Sequence, residues 1–279
     1  MPEGDTVFRT AARLRAALER QTLTGSDFRV PKFATVDLSG RECTSVESRG
    51  KHLFIVCEDL AIHSHLMMEG HWDVYRPGER WRSPAFKARC ILSVATAQAV
   101  GFELGFVRLV PTASMYDDVA HLGPDPLGPS WDRDEVLRRM RLWPETKIGL
   151  VVLDQSVLAG VGNIYRCESL FMARVNPHSL VSELSDEVLL GLIDMMHRLL
   201  NLNRERGRRI TTGAVGREPY WVYGRRAKPC QRCGAPVVYE RLGDPQPLRG
   251  RVGGTKNGDS VSTESVERDL FYCQYCQRA

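Results

Sequence analysis

Two pairs of cysteines near the C-terminus have the spacing of metal knuckles, Cys230-Gln-Arg-Cys233 and Cys273-Gln-Tyr-Cys276. A C-x2-C turn places two thiolates about 2.3 Å from one tetrahedral ion, and a second such turn completes the coordination. One structural Zn2+ on Cys230, Cys233, Cys273 and Cys276 is therefore the expected cofactor, with no redox or nucleotide cofactor beside it. The pairs are 39 residues apart, against the roughly 15–20 of the common four-cysteine ribbon. Residues 237–241 and Arg268–Tyr272 read as short strands, and residues 243–265 are rich in Gly, Pro, Ser, Thr, Asp and Asn. The expectation is a flexible insertion in the turn of a zinc-bound hairpin, since each doubling of loop length costs only about 0.6 kcal/mol. Cys43, Cys57, Cys90 and Cys167 stand singly among apolar or strand-like neighbours and read as small buried hydrophobes.

The opposite end of the chain offers a nucleophile. If the initiator methionine is removed, Pro2 presents a secondary α-amine, whose reference pKa near 8 leaves a usable neutral fraction without special tuning (about 8 in model peptides). Its attack on a carbonyl-level carbon gives an iminium ion, an electron sink for a later elimination. The plain alternative is that Pro2 is only a second residue. Glu3 and Lys51 gain meaning beside it, as a proton shuttle and as an ammonium for a phosphate or leaving group; singly, each is a solvated charge. Gly160-Val161-Gly162-Asn163 lies between two helical patterns. Its glycines permit a tight turn, and Asn163 with the next helix's free N–H groups can bind a phosphate or simply cap that helix.

The elements that must hold these groups follow from periodicity. Val7, Ala11, Leu14 and Leu18 predict a helix over residues 6–20, capped by Asp5 or Thr6. Short β-type runs at 43–46, 52–57, 61–65, 71–75, 90–94 and 99–102 predict a β-sandwich or barrel. The Gly-Pro punctuation of residues 123–129 reads as a boundary, and helices are expected over 132–142, 147–158, 164–173 and 186–200. The fold class is α+β, in three parts. These are an N-terminal helix plus β-sandwich domain (1–122), a helical domain (130–224) and a zinc-finger hairpin (225–279). The length of 279 residues, 43% hydrophobic and 26% charged, suits such a globular chain. The longest apolar run, residues 148–153, falls far short of the roughly 20 needed for a membrane span, and the N-terminus lacks a basic, then apolar, leader. A cytoplasmic protein is expected, where thiols stay reduced. Net charge is +4, but residues 201–279 carry 15 basic against 8 acidic side chains, leaving the rest at −3. A basic end is a weak pointer to a polyanion.

Taken in order, Met1-Pro2-Glu3-Gly4-Asp5, Val46-Glu47-Ser48-Arg49-Gly50-Lys51, Leu153-Asp154-Gln155 with Leu158-Ala159-Gly160-Val161-Gly162-Asn163, and the two-knuckle terminus resemble the endonuclease VIII and formamidopyrimidine-DNA glycosylase family across nearly the whole chain. The resemblance implies a helix-two-turn-helix DNA-binding domain. It also implies a bifunctional base-excision repair enzyme that flips a damaged base from duplex DNA, cleaves its N-glycosidic bond and nicks the strand by β,δ-elimination. By the same resemblance, Pro2 is the Schiff-base nucleophile on deoxyribose C1′ and Glu3 the adjacent acid. Lys51 serves β-elimination and phosphate contact, Asn163 grips the DNA backbone, and Arg268, five residues before Cys273, serves δ-elimination and the minor groove. The zinc is then structural, and the partner is damaged duplex DNA, bound by a monomer.

Two branches of the family divide the lesions. Pro-Glu-Gly at the start resembles the oxidised-pyrimidine branch, and residues 101–111 lack the Asp-x-Arg-Arg-Phe run of the oxidised-purine branch. Met67 and Met68 are the candidates to fill the void left by a flipped base, which must offset an unstacking cost of a few kcal/mol. The better-known pyrimidine enzymes carry glutamine where Met67 stands and an arginine near His121. The competing readings are an oxidised-purine enzyme on the same fold, a non-catalytic damaged-DNA binder, and a generic zinc-ribbon protein.

Overall fold

Helix α1 (Gly4–Leu18) buries Val7, Ala11, Leu14 and Leu18, the predicted stripe, against strands on both sides of the N-terminal core. It begins two residues before the predicted start, and neither Asp5 nor Thr6 caps it. The cap is Glu3, whose carbonyl accepts the N–H groups of Thr6 and Val7 at 2.9 and 3.1 Å. Asp5 lies inside the first turn, fully buried and paired with Arg9 at 3.1 Å, which suits the positive end of the helix dipole. The structure, a computed structural model, describes residues 2–213, 218–243 and 267–278. The expected insertion at 243–265 therefore lies almost wholly outside the described residues, as does Met1.

The chain divides into two compact units, Met1–Asp117 and Asp118–Ala279. In the first, β1 (Gln21–Thr22), β2 (Gly25–Phe28), β3 (Glu42–Arg49), β4 (His52–Cys57), β5 (Leu60–His65), β6 (His71–Tyr75), β7 (Ala88–Ser93), β8 (Gln98–Phe102) and β9 (Phe106–Pro111) form two antiparallel sheets. Their orders are β1-β3-β4-β5-β9 and β2-β7-β8-β6. Val46, Leu53, Ile55 and Ile62 of one sheet meet Phe28, Trp72, Leu92 and Ala99 of the other in a shared core. Each fully buried Val, Leu, Ile or Phe among them is worth roughly 1.5–3 kcal/mol. The β-sandwich expectation holds, with β1, β2 and β9 added.

The second unit holds α2 (Arg133–Met140), α3 (Ile148–Val151), α4 (Asn163–Met172) and α5 (Asp186–Asn203), then the hairpin β10 (Val238–Leu242) and β11 (Arg268–Tyr272). Asp132 caps α2 and Ser185 caps α5, each side chain accepting a backbone N–H three residues on. The expected helix over 147–158 is corrected. Only Ile148–Val151 is helical, and the chain then makes two turns before α4. Asp154 Oδ1 accepts from the Ser156 amide and hydroxyl, while Gln155 bonds the Leu153 and Val161 carbonyls and the Gly160 amide. These local bonds outcompete the helix that the run of Val and Leu suggests. Gly160, at φ +86°, completes the reversal. The hairpin shares a core with α4, where Leu270, Phe271 and Cys273 pack with Cys167 and Phe171. Among the described residues no helix is long and apolar enough to cross a membrane.

Candidate active site

In the first unit the chemistry gathers on the face of the five-stranded sheet that points away from the core. Side chains alternate along a strand, so the cross-strand partners Arg49↔His52, His52↔His65, Phe54↔His63 and His65↔Phe106 share one face. Lys51 stands at the tip of the β3–β4 hairpin, in a two-residue turn that Gly50 permits by taking φ +59°. At the start of α1, Glu3 is fully buried and Pro2 half-buried beside it.

His65 was not singled out from the sequence, yet its imidazole is strongly altered by its setting. Burial, helped by the Lys51 charge, lowers its pKa to about 4. Its Nδ1 accepts the Met67 N–H at 2.9 Å, so the neutral ring carries its proton on Nε2 and is a fixed donor close to the Lys51 ammonium. The alternation His63-Ser64-His65 was the available signal; it puts both rings on one face, and burial separates them, His63 being fully buried and His65 partly exposed. Behind it, His52 Nδ1 and His63 Nε2 share a proton at 2.9 Å, and His63 stacks on Phe54 at 4.3 Å.

The low pKa has a testable consequence. Between pH 6.5, the ordinary histidine value, and about 4, the unfolded chain binds a proton at His65 and the folded one does not. Stability must therefore rise with pH across that window and be lost on acidification. His65→Gln is expected to show a smaller drop in melting temperature than the wild type between pH 7 and pH 5. Identical drops would count against the assignment.

Met67 and Met68 sit in the turn that follows His65, where the Gly70 amide bonds the Leu66 carbonyl at 2.9 Å. They are 51% and 63% exposed, and Met67 holds φ +52°, a conformation that costs a non-glycine residue of order 1–3 kcal/mol. Both apolar side chains are thus held out toward solvent on this turn. Nearby, Tyr116 donates to Glu47 and lies under the Arg49 guanidinium at 5.6 Å; burial and Glu47 push its hydroxyl up to about 12.

In the second unit, α4 and the hairpin bring Asn163 and Arg268 together. Asn163 is the first residue of α4, and the cap is Gly162, so the plain reading of Asn163 as the cap does not hold. Its Nδ2 donates to the Asp269 carbonyl at 2.7 Å. Arg166, fully buried one turn on, donates from Nη2 to the same carbonyl at 2.7 Å and to that of Arg268 at 3.4 Å. The first turn of α4 thus pins the backbone that carries Arg268, which opens β11 with its side chain exposed.

Glu168, on the same helix and also buried, accepts backbone N–H bonds from Trp221, Val222 and Tyr223 at 2.7–2.9 Å and the Thr211 hydroxyl. Sequence reasoning passed over both Arg166 and Glu168. The available signal was two opposite charges inside an otherwise apolar helix.

Cys230, Cys233, Cys273 and Cys276 converge as their spacing predicts, with all four Sγ atoms within 4.8 Å of one another. Cys230 and Cys276 approach to 3.9 Å and Cys233 and Cys273 to 3.5 Å, the edges of a tetrahedron around an ion with bonds of about 2.3 Å. Gln277 supports the second knuckle by accepting the Cys273 N–H and donating to the Val175 carbonyl, both at 2.9 Å. The donor set fits one tetrahedral metal ion. None of the eight cysteines is in a disulfide.

Comparison with known proteins agrees with this arrangement. Residues 1–104 match the formamidopyrimidine-DNA glycosylase N-terminal domain and residues 122–213 its H2TH domain. The chain is 43% identical to a probable endonuclease 8 2 of Streptomyces coelicolor, covering 99% of this chain and 94% of that one. It is 45% identical to a protein of Mycolicibacterium smegmatis named DNA-(apurinic or apyrimidinic site) lyase Nei2, covering 100% of both. Among solved structures, a Lactococcus lactis Fpg bound to abasic-site DNA superimposes with a TM-score of 0.77 at 20% identity, over 99% of this chain and 100% of that one. MutM in complex with DNA containing carbocyclic 8-oxo-G gives 0.77 at 22%, over 100% of both. The shared fold, the full-length identity and the two matched domains together make this chain a member of the formamidopyrimidine-DNA glycosylase and endonuclease 8 family of DNA repair enzymes.

Proposed function

We propose that this DNA glycosylase and AP lyase removes oxidised pyrimidines from duplex DNA through a Schiff base on Pro2 and nicks the strand by successive β- and δ-elimination. The observation that carries the reading is Pro2 at the start of the rigid α1, directly followed by the fully buried Glu3. Once Met1 is removed, the Pro2 nitrogen attacks C1′ and the C1′–N bond to the base breaks, the base departing with a proton; the C1′–O4′ bond then opens, O4′ takes a proton, and the Pro2 nitrogen–C1′ bond becomes an iminium ion. Loss of a C2′ proton then expels the 3′ phosphate, and a second elimination expels the 5′ phosphate. Glu3 is the adjacent proton shuttle. Lys51 and the Nε2–H of His65 are suited to hold a phosphate in the first unit, as Asn163 and Arg268 are in the second. Met67 and Met68 would fill the vacated stack. One Zn2+ on the four cysteines would shape the hairpin that carries Arg268, and no step passes through it. The protein would act as a monomer.

The test is reductive trapping. The Met1-processed protein is mixed with duplexes holding thymine glycol, 8-oxoguanine or an abasic site, and borohydride is added to reduce any imine. A covalent adduct is expected with thymine glycol and the abasic site, weaker with 8-oxoguanine, and greatly reduced in Pro2→Gly. No adduct on any duplex, or an undiminished one in Pro2→Gly, rejects the mechanism. Preference for 8-oxoguanine would favour the purine reading. Arg268→Ala is expected to weaken duplex binding or shift the products from δ- to β-elimination while leaving the melting temperature unchanged. Unchanged binding and products would remove Arg268 from the site.

A further inference from the structure

The four-stranded sheet of the first unit carries a surface that the chemistry of Pro2, Glu3 and Lys51 does not use. From the end of β6 into the start of β7, residues 76–89 include Arg76, Arg80, Arg82, Lys87 and Arg89 against one acid, Glu79. Arg82 is committed to Asp73 at 3.2 Å and Lys87 to Glu103 at 2.9 Å. Arg76 and Arg80 are exposed, and neither guanidinium meets a carboxylate among the described residues. In the same segment Phe86 is 76% exposed.

This segment is held in shape. The Arg82 amide donates to the Tyr75 hydroxyl at 3.2 Å, Arg29 Nη1 donates to the Ala85 carbonyl at 2.9 Å, and the Arg76 amide bonds Glu79 at 2.9 Å. Residues 79–85 line an open concavity of about 540 Å³. In its wall, Trp81 is fixed by a bond from Nε1 to Gln98 at 2.8 Å and covered on one face by the Arg29 guanidinium at 5.7 Å. His71 Nε2 meets Ser83 Oγ at 3.2 Å, which ties the segment to the chain just after the Met67–Met68 turn.

Exposed cations without carboxylate partners select a polyanion, and an exposed phenyl ring on a segment whose backbone is held selects a flat apolar face to stack on. Duplex DNA offers the first but not the second, since its bases already cover one another; an unpaired strand offers both. We propose that residues 76–89 form a second DNA contact, in which Arg76 and Arg80 hold the backbone of a single strand and Phe86 stacks on one of its bases.

The experiment measures binding of a labelled oligothymidylate by fluorescence anisotropy over a salt series. Phe86→Ala is expected to weaken binding about 5- to 150-fold, the range for loss of one base–aromatic stack. Arg76→Ala with Arg80→Ala is expected to lower the slope of log affinity against log salt by about 1.4, two single-strand phosphate contacts. Nicking of an abasic duplex and the melting temperature, read on the same samples, should not change, so failure here is separable from failure of the Pro2 mechanism. Three results would each overturn the proposal: no oligothymidylate binding by the wild type, unchanged affinity in the variants, or an equal loss of affinity for an undamaged blunt duplex.

Discussion

Cys273→Ser is expected to release the metal ion and unfold the β10–β11 hairpin while leaving the first unit folded. A two-stranded hairpin is marginal by itself in water, and this one has two supports. One is the core that Leu270, Phe271 and Cys273 share with Cys167 and Phe171 of α4; the other is the four-thiolate cluster. In small zinc-binding peptides the metal contributes roughly 10–16 kcal/mol at neutral pH, more than most single domains have in total. Serine offers a poor ligand in place of a thiolate and disrupts one edge of the tetrahedron, the 3.5 Å approach to Cys233. With the hairpin loose, the carbonyls of Arg268 and Asp269 leave Asn163 and Arg166, whose buried donors are then unsatisfied at a further cost of about 1–3 kcal/mol each. Bound zinc should fall from one per chain to near zero, with duplex affinity and nicking falling together by two orders of magnitude or more (the ~3 kcal/mol equivalent). Arg268→Ala provides the contrast, keeping the zinc and the melting transition. Well under one zinc in the wild type, or full nicking by Cys273→Ser, would count against a metal-shaped hairpin.

That result would test the part of the site most legible in the sequence. Two C-x2-C pairs carry their geometry in their spacing, because both ligands of a knuckle are local. The α1 stripe was readable for the same reason, and its boundary slipped by two residues because the cap is made by the Glu3 backbone, which no side chain announces. Strands β1 and β2 escaped notice at two and four residues, the latter Gly-Ser-Asp-Phe, with little β-type content. The helix expected over 147–158 failed where Asp154 and Gln155 bond to their own loop. Pro2, Lys51, Asn163 and Arg268 carried no decisive local pattern, and resemblance alone singled them out as a set. Arg166 and Glu168 were illegible because their meaning lies far along the chain: Arg166 acts on Asp269, 103 residues away, and Glu168 on Trp221, 53 residues away. A buried charge reads as a surface charge until its partner is known.

Glu168 makes that point measurable, since its replacement is expected to destabilise the second unit more than any conservative change at a surface position. Each carboxylate oxygen accepts two bonds: Oε2 from the Trp221 N–H and the Thr211 hydroxyl, Oε1 from the N–H groups of Val222 and Tyr223. Burial raises the Glu168 pKa, and the four donors oppose that shift by favouring the charged form. Three consecutive backbone amides aimed at one side chain cannot be satisfied by a helix or a sheet, so the carboxylate is what allows residues 221–223 to turn against α4. Glu168→Leu removes all four acceptor contacts and leaves the amides buried, a cost of about 3–5 kcal/mol, the scale for breaking a buried charged network. Glu168→Gln preserves the shape but turns one oxygen into an NH2 group. If that group faces Trp221, two donors oppose each other; if it faces Val222 and Tyr223, three do. The loss should be about 2–3 kcal/mol, intermediate between wild type and Leu. Urea titration of the second unit's transition is the measurement, with the order wild type, Gln, Leu. Because Arg166 and Asn163 hold the hairpin from the same helix, duplex affinity should fall in that order too. Equal stability of Gln and Leu would mean that shape, not the paired acceptors, holds the segment, and an unaltered midpoint in Leu would mean that the amides find water instead.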